Sequence, residues 1–311
     1  MNKIKISGFV ILSFVLVYIA LGIGQAWINP FFPASAMEQT ILWELRIPRL
    51  LIAFAVGGLL ALAGSWFQVL LGNPLAEPYV LGVAGSAASG AILMLMMAAG
   101  SVWLMSAGAF AGALVGIVIV MAFVHLGTGR LLLAGVVLAA FWGAFITLLL
   151  ALMPEHDISV AFAWMMGDLS DSDIPVAVLL IVWVIALVYG LFLSRSLDAL
   201  LLGEKHATML GVDVPKLRRV LLLLASFVTA IAVTAAGTIG FVGLVIPHLM
   251  RLVFGSLHRM VLPASAIGGG LLLMLADAAS RSVIAPAELP VGVLTAMIGV
   301  PVFLWLLLKK T

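Results

Sequence analysis

The sequence predicts an all-α, polytopic membrane protein with about ten transmembrane helices and both termini in the cytoplasm, and three observations carry that prediction. The chain has 311 residues, of which 65% are apolar and only 9% charged, with a mean hydropathy of +1.31; a soluble domain of this size would be about a quarter charged. A bilayer core is about 30 Å thick and needs roughly 20 mostly apolar residues per spanning helix, and turn and charge signals divide this chain into ten such runs. Finally, threading those runs from a cytoplasmic start leaves most of the fifteen lysines and arginines on one side. Lys3, Lys5, Arg130, Arg195, Lys205, Lys216, Arg218, Arg219, Arg251, Arg259, Lys309 and Lys310 fall inside, and only Arg46, Arg49 and Arg281 outside. That is the positive-inside bias of a correctly oriented membrane protein. Glu38, Glu44, Glu155, Asp157, Asp168, Asp171, Asp173 and Glu288 fall outside, but acids carry little topological weight.

The expected spans cover about 6–26, 49–71, 79–98, 102–124, 131–152, 175–194, 220–238, 241–254, 262–280 and 290–308. The first follows Lys3 and Lys5 and ends at the small-x-small stretch Gly24-Gln25-Ala26, but its apolar run is longer than the 7–15 residues of a signal core, so it reads as a span. Lipid provides no hydrophobic drive between helices, so close packing must come from small residues. Ala53, Gly57, Ala61 and Ser65 recur every fourth residue in the second span, and Gly108, Gly112 and Gly116 do so in the fourth; both stripes read as static packing faces. After the second span, Gly72 to Pro78 interrupts the helices either as an ordinary turn or as irregular backbone at membrane depth. The stretch from Ala236 to His248, with three glycines spaced by three and Pro247, is too apolar for a solvated loop and predicts a tight re-entrant turn, because irregular backbone at membrane depth survives only where protein or a wet cavity satisfies it. Between the sixth and seventh spans, Ser194 to Arg219 forms the one long cytoplasmic connection. Its alternation of leucines with charged residues, broken at Gly203 and Gly211 and reopened at Pro215, predicts two short helices over about 197–216. The mixed charge, with Asp198, Glu204 and Asp213 among the bases, suits a protein-docking surface better than a lipid-held one.

Composition also excludes functions. No cysteine is present, which removes disulfides, thiolate nucleophiles and thiolate metal sites. No G-x-x-x-x-G-K-[ST] loop, H-E-x-x-H pair or G-x-S-x-G elbow occurs. The histidines at 125, 156, 206, 248 and 258 never fall at metal-ligand spacing, so no catalytic or metal-binding residue is expected in this chain. The pI near 9.1 reflects cytoplasmic loops rather than affinity for nucleic acid.

Two ionic features remain. Asp277 is the clear intramembrane carboxylate, and Arg281, four residues on, is its expected structural partner. Arg46 and Arg49 flank Pro48 at the outer start of the second span, where they oppose both the helix macrodipole and the positive-inside bias. Glu44 or lipid phosphates could compensate them, or an acidic partner docking from outside, with an exposed Arg281 as a third contact.

Several stretches resemble one family almost from end to end. Leu45-Arg46-Ile47-Pro48-Arg49 runs into Gly57-Gly58-Leu59-Leu60-Ala61-Leu62-Ala63-Gly64, and Gln68 precedes Asn73-Pro74-Leu75-Ala76-Glu77-Pro78. Further along come Leu133-Ala134-Gly135, Trp164-Met165-Met166-Gly167, Leu202-Gly203-Glu204-Lys205-His206-Ala207 and Leu210-Gly211-Val212. The series closes with Gly240 to Arg251, His258-Arg259, Ala276-Asp277, Arg281, Glu288 to Gly292 and Gly299-Val300-Pro301. In this order they are similar to the FecCD family, the permease subunits of type II ABC importers for iron-siderophores, haem and vitamin B12. Asp168 departs from the serine that siderophore members often carry at that position.

The resemblance implies a vitamin B12 permease-like fold in a single membrane domain over residues 1–311, set in the bacterial inner membrane. It implies a permease, not an enzyme, working as a homodimer with two separate ATPase subunits that use ATP and Mg, and a periplasmic binding protein that delivers a metal chelate, a ferric siderophore ahead of cobalamin or haem. Leu202, Gly203, Glu204, Ala207, Leu210 and Gly211 would couple to the ATPases, and Arg46, Arg49 and Arg281 would dock the binding protein. Gln68, Asn73, Leu75 and Thr128 would line the cytoplasmic constriction of the pathway. The rival from another class is a stand-alone secondary carrier for a small solute.

Overall fold

A computed structural model describes residues 2–24, 26–97, 102–170, 172–285 and 287–308. Gln25, Asp171, Lys309, Lys310 and the side chain of Lys3, all named above, lie outside the described residues. Among the described residues every regular element is helical. In chain order the α-helices are α1 (Asn2–Gly22), α2 (Ala36–Thr40), α3 (Ile47–Leu70), α4 (Val83–Met97), α5 (Val102–Met121), α6 (Thr128–Leu152) and α7 (Glu155–Met165). They continue with α8 (Val176–Leu201), α9 (Glu204–Met209), α10 (Val214–Ala236), α11 (Val242–Phe254), α12 (His258–Ser280) and α13 (Val291–Leu308). Seven helical stretches are long and apolar enough to cross a bilayer, and three shorter apolar helices at α4, α11 and α13 complete the ten runs expected.

The second span begins earlier than expected. Ser35 accepts the Glu38 N–H at 3.2 Å, and Glu38 reaches back to the Ala34 N–H at 2.6 Å, a reciprocal cap that starts a helix at Ala36. A π-turn at Ile41–Arg46 then joins α2 to α3 just before Pro48, so the helical stretch is continuous over Ala36–Leu70. This stretch is the axis of the bundle. Its apolar window is 89% buried, against 6% for α1, 11% for α6 and 17% for α8, which therefore form the periphery.

The small-residue stripes are backbone-to-backbone contacts. A Cβ placed on Gly57 would lie 2.2 Å from the Gly269 carbonyl of α12, and one on Gly64 would lie 1.9 Å from the Gly243 carbonyl of α11. Gly108 and Gly112 press in the same way against Gly90 and Ser86 of α4. Each glycine trades intrinsic helix stability for an approach no other residue permits.

The chain alternates between two ends of the bundle. At one, Lys5 Nζ donates to the Val253 carbonyl at 2.7 Å, so the start of α1 meets the end of α11. The ends of α3, α5 and α8 and the starts of α6, α10 and α12 lie there, with α9 packed on α8 and α10, and this is the Glu204 end. The opposite, arginine end holds the starts of α3, α8 and α13 and the close of α12. Nine described basic side chains sit at or near the Glu204 end, while Arg46, Arg49 and Arg281 are at the other, reproducing the grouping expected from the sequence.

One local expectation is corrected. Only one short helix, α9, lies within 197–216: Leu197, Ala199 and Leu200 are buried residues of α8, which runs unbroken to Leu201, and Pro215 already belongs to α10. The turns on either side of α9 are made by Gly203 (φ 98°) and Gly211 (φ 82°), conformations that favour glycine. The acidic segment after the fifth span contains α7, with Pro154 preceding its first turn and Glu155 and Asp157 within that turn.

Candidate functional site

At the Glu204 end a cleft of about 580 Å³ is lined by Gln68, Asn73, Thr128, Gly203, Glu204, Arg218 and Arg251 among others. Three of the four expected pathway residues thus meet two of the expected coupling residues. Leu75 is apart from them: it is 42% exposed, its N–H held by the Asn73 side chain at 2.9 Å in a local turn. Gln68, buried near the end of α3, donates to the Leu244 carbonyl at 3.2 Å and accepts from Arg251 of α11. This amide therefore ties α3 to α11 at the mouth of the cleft.

Arg218, on the first turns of α10, was not singled out from the sequence. Its guanidinium donates both to the Thr128 hydroxyl at the start of α6 and to the Glu204 carboxylate at the start of α9. One side chain, 16% exposed, thereby joins an expected pathway residue to an expected coupling residue. Ala207 anchors α9 inward and is fully buried, while Leu202 and Leu210 are 64% and 65% exposed, apolar projections at the rim of the same face. Asp198 of α8 caps the start of α12 from the side, accepting from the His258 N–H at 2.9 Å and meeting its Nδ1 at 2.7 Å.

The arginine end is built differently from expectation. Arg46 is 6% exposed and donates to the carbonyls of Leu21 and Gly22 at 2.8 Å and of Ala26 at 2.9 Å. It closes the carbonyl end of α1, where a cation is favoured by the helix dipole. Arg49 binds Asp277 at 2.7 Å and Glu288 at 2.8 Å, and Arg281 binds Asp277 at 3.1 Å. The expected Asp277–Arg281 pair is present, but the carboxylate is shared with a second guanidinium. Arg281 is not an exposed third contact: it is 8% exposed, because this carboxylate draws it in. Glu44 is exposed and takes no part in an ion pair among the described residues. The three arginines still share one open cleft of about 530 Å³, with Ser170 and Glu288 on its wall.

Between the two ends lies the break of residues 237–241, the tight turn expected between two spans. Phe241 sits at φ 68°, the one described non-glycine residue in the left-handed region, immediately before α11. Protein groups supply partners to several polar groups of this irregular stretch. The Ile239 N–H donates to the Tyr79 hydroxyl, the Phe241 N–H donates to Glu77 at 3.3 Å, and the Thr238 hydroxyl donates to the Met165 carbonyl. Burial pushes the Glu77 carboxyl above its ordinary range, and the hydrogen bond from Phe241 only partly offsets this. Among the described residues no three His, Asp or Glu side chains come together as a metal site.

This arrangement has close counterparts. The vitamin B12 import system permease protein BtuC of Vibrio vulnificus is 40% identical over 303 residues, spanning 95% of this chain and 91% of that one. The protein of the same name from Salmonella typhi is 39% identical over 311 residues, spanning 99% and 94%. A solved metal-chelate type ABC transporter in an inward-facing conformation superposes with a TM-score of 0.89 at 30% identity over the whole of both chains. The model of the FecCD transport family matches residues 6–309, and with ten apolar helices in place this chain belongs to that family as a multi-pass inner-membrane protein.

Proposed function

We propose that this chain is the permease subunit of an ATP-driven importer for a metal chelate, with the Glu204 end and both termini in the cytoplasm. The observation that carries the proposal is the Thr128–Arg218–Glu204 link, which joins a surface-exposed short helix to a cleft among the spans. In this reading two separate ATPase subunits bind ATP and Mg and grip Leu202, Glu204 and Leu210. Closure of their dimer moves α9 and, through Arg218, the start of α6. A second copy of the chain completes the pathway. A periplasmic binding protein meets the arginine end, where its acidic groups compete with Glu288 for Arg49. Among chelates, the relatives named for vitamin B12 support cobalamin ahead of the ferric siderophore that the sequence motifs alone favour.

The test is uptake by the assembled complex in liposomes. Glu204→Lys with Leu210→Lys should abolish both transport and stimulation of ATP hydrolysis while leaving the permease inserted. Supplying cyanocobalamin, haem and a ferric siderophore in parallel, each with the cognate binding protein, assigns the cargo. Uptake by the chain alone under an ion gradient would instead establish the secondary carrier.

A further inference from the structure

On the flank of the Glu204 end, a second cleft of about 620 Å³ runs from the last turns of α8 to the start of α10. Its walls are contributed by Tyr189, Phe192, Arg195, Asp213, Lys216 and Val220 among others. Tyr189, Phe192 and Arg195 are three residues apart and so follow one face of α8, with the cation at the end nearer α9. Phe192 is 82% exposed and Tyr189 41%, and they continue the exposed stripe of Ile181, Val184, Ile185 and Val188, so the cleft opens sideways onto an apolar surface. The side chains of Arg195 and Lys216 are exposed and make no hydrogen bond or ion pair among the described residues. Asp213 lines the same cleft, its carboxylate accepting the Lys216 N–H at 3.0 Å as the cap of α10, so two cations face one carboxylate and the cleft keeps a net positive charge.

We infer that this cleft holds one anionic phospholipid, its phosphate between Arg195 and Lys216 and its acyl chains over Phe192 and Tyr189. The dimensions agree. From Tyr189 to Arg195 is six helical residues, about 9 Å at 1.5 Å per residue, which is enough to cross one interfacial layer of about 5–7.5 Å, half of the roughly 10–15 Å by which a bilayer exceeds its hydrocarbon core. An amphipathic ring at the boundary with a guanidinium one to two turns further out matches the polarity gradient of a lipid. Basic clefts beside spanning helices bind anionic headgroups, whereas an acidic protein segment would leave the lateral apolar opening unfilled. Because Leu210 and Gly211 also line the cleft, a lipid seated there would brace the turn that follows α9.

Native mass spectrometry of the full chain tests this, with dioleoylphosphatidylglycerol and dioleoylphosphatidylcholine as probes. One phosphatidylglycerol should be retained in preference to phosphatidylcholine. Each basic side chain near an anionic surface contributes about fivefold, so Arg195→Gln with Lys216→Gln should weaken retention roughly thirtyfold. Arg195→Lys should restore most of the single-site loss, and Phe192→Ala should weaken binding with every charge in place. Arg130→Gln with Arg259→Gln, at the same end but outside the cleft, should leave retention unchanged. Equal losses in the two double variants would reduce the effect to the general basic face and overturn the site. Release of the lipid when the ATPase subunits bind would give the cleft to the partner and overturn it as well. None of these readouts depends on transport, so the assignment can fail while the proposed import function stands.

Discussion

Asp277 is fully buried and bridges Arg49 and Arg281, and this makes its neutralisation the most informative perturbation of the fold. Asp277→Asn leaves two guanidinium groups facing each other at the arginine end. Arg49 keeps Glu288, whose side chain is 46% exposed, but the Arg281 side chain retains no ionic partner. Breaking a buried pair by removing one partner costs about 3–5 kcal/mol, which at 1.36 kcal/mol per decade is a loss of roughly 150- to 5,000-fold in the folded population. Arg281→Gln is different, because Asp277 keeps Arg49 at 2.7 Å, and the loss should be nearer the 1.5–3 kcal/mol of one charge-assisted hydrogen bond. The double variant Asp277→Asn, Arg281→Gln removes the uncompensated cation and should recover part of the loss. Thermal inactivation of the detergent-solubilised chain, followed by size-exclusion of the surviving fraction, ranks the three. If Arg281→Gln proves as damaging as Asp277→Asn, the shared carboxylate is not what holds this end together.

Arg218→Gln should leave ATP hydrolysis by the complex in place but cut uptake per ATP about tenfold or more, with Arg218→Lys intermediate; equal falls in both rates would mean that Arg218 only supports folding. Gly64→Ala puts a methyl 1.9 Å from the Gly243 carbonyl and should destabilise by at least the roughly 1–3 kcal/mol typical of overpacking, measurable by the same inactivation assay, whereas Gly129→Ala, with open space around it, should not. Glu77 gives a pH signature. Its pKa is raised in the fold, so the folded state holds the proton longer, and stability falls as pH rises from its ordinary value of 4.5 through the raised one. Glu77→Gln should therefore be more heat-resistant than the parent at neutral pH, with the advantage vanishing toward pH 4.5, and a pH-independent difference would count against it.

The spans were legible because lipid imposes a single rule on twenty residues at a time, and the break at 237–241 was legible because three glycines and Pro247 violate it. The gathering of Gln68, Asn73, Thr128, Gly203 and Glu204 was legible only as a resemblance, not as a pattern of spacing. What escaped was long-range pairing. Nothing local in Arg218 announces Thr128, ninety residues earlier, and nothing in Arg49 announces Asp277. The exposed-arginine expectation failed for the same reason: the carbonyl end of α1 and the carboxylate of α12 supply partners that a reading of residues 44–49 does not contain. Residues 197–201 were misjudged because an apolar stripe with interspersed charge fits an interfacial helix and the emerging end of a span equally well.

The wiring of the arginine end sets an order of events during synthesis. Arg46 finds its carbonyl partners in a helix that has already left the ribosome, only 24 or 25 residues upstream. Arg49 must wait for an aspartate 228 residues downstream, which at 5–20 residues per second is a delay of about 10–50 s. Through that interval, in the proposed orientation, the nascent second span presents an uncompensated cation on the side that topology signals disfavour. The clasp of Arg46 on α1 is the part of the finished network already available then, so the first two spans can be held as a hairpin in the translocon before any of the machinery that later justifies their charges exists.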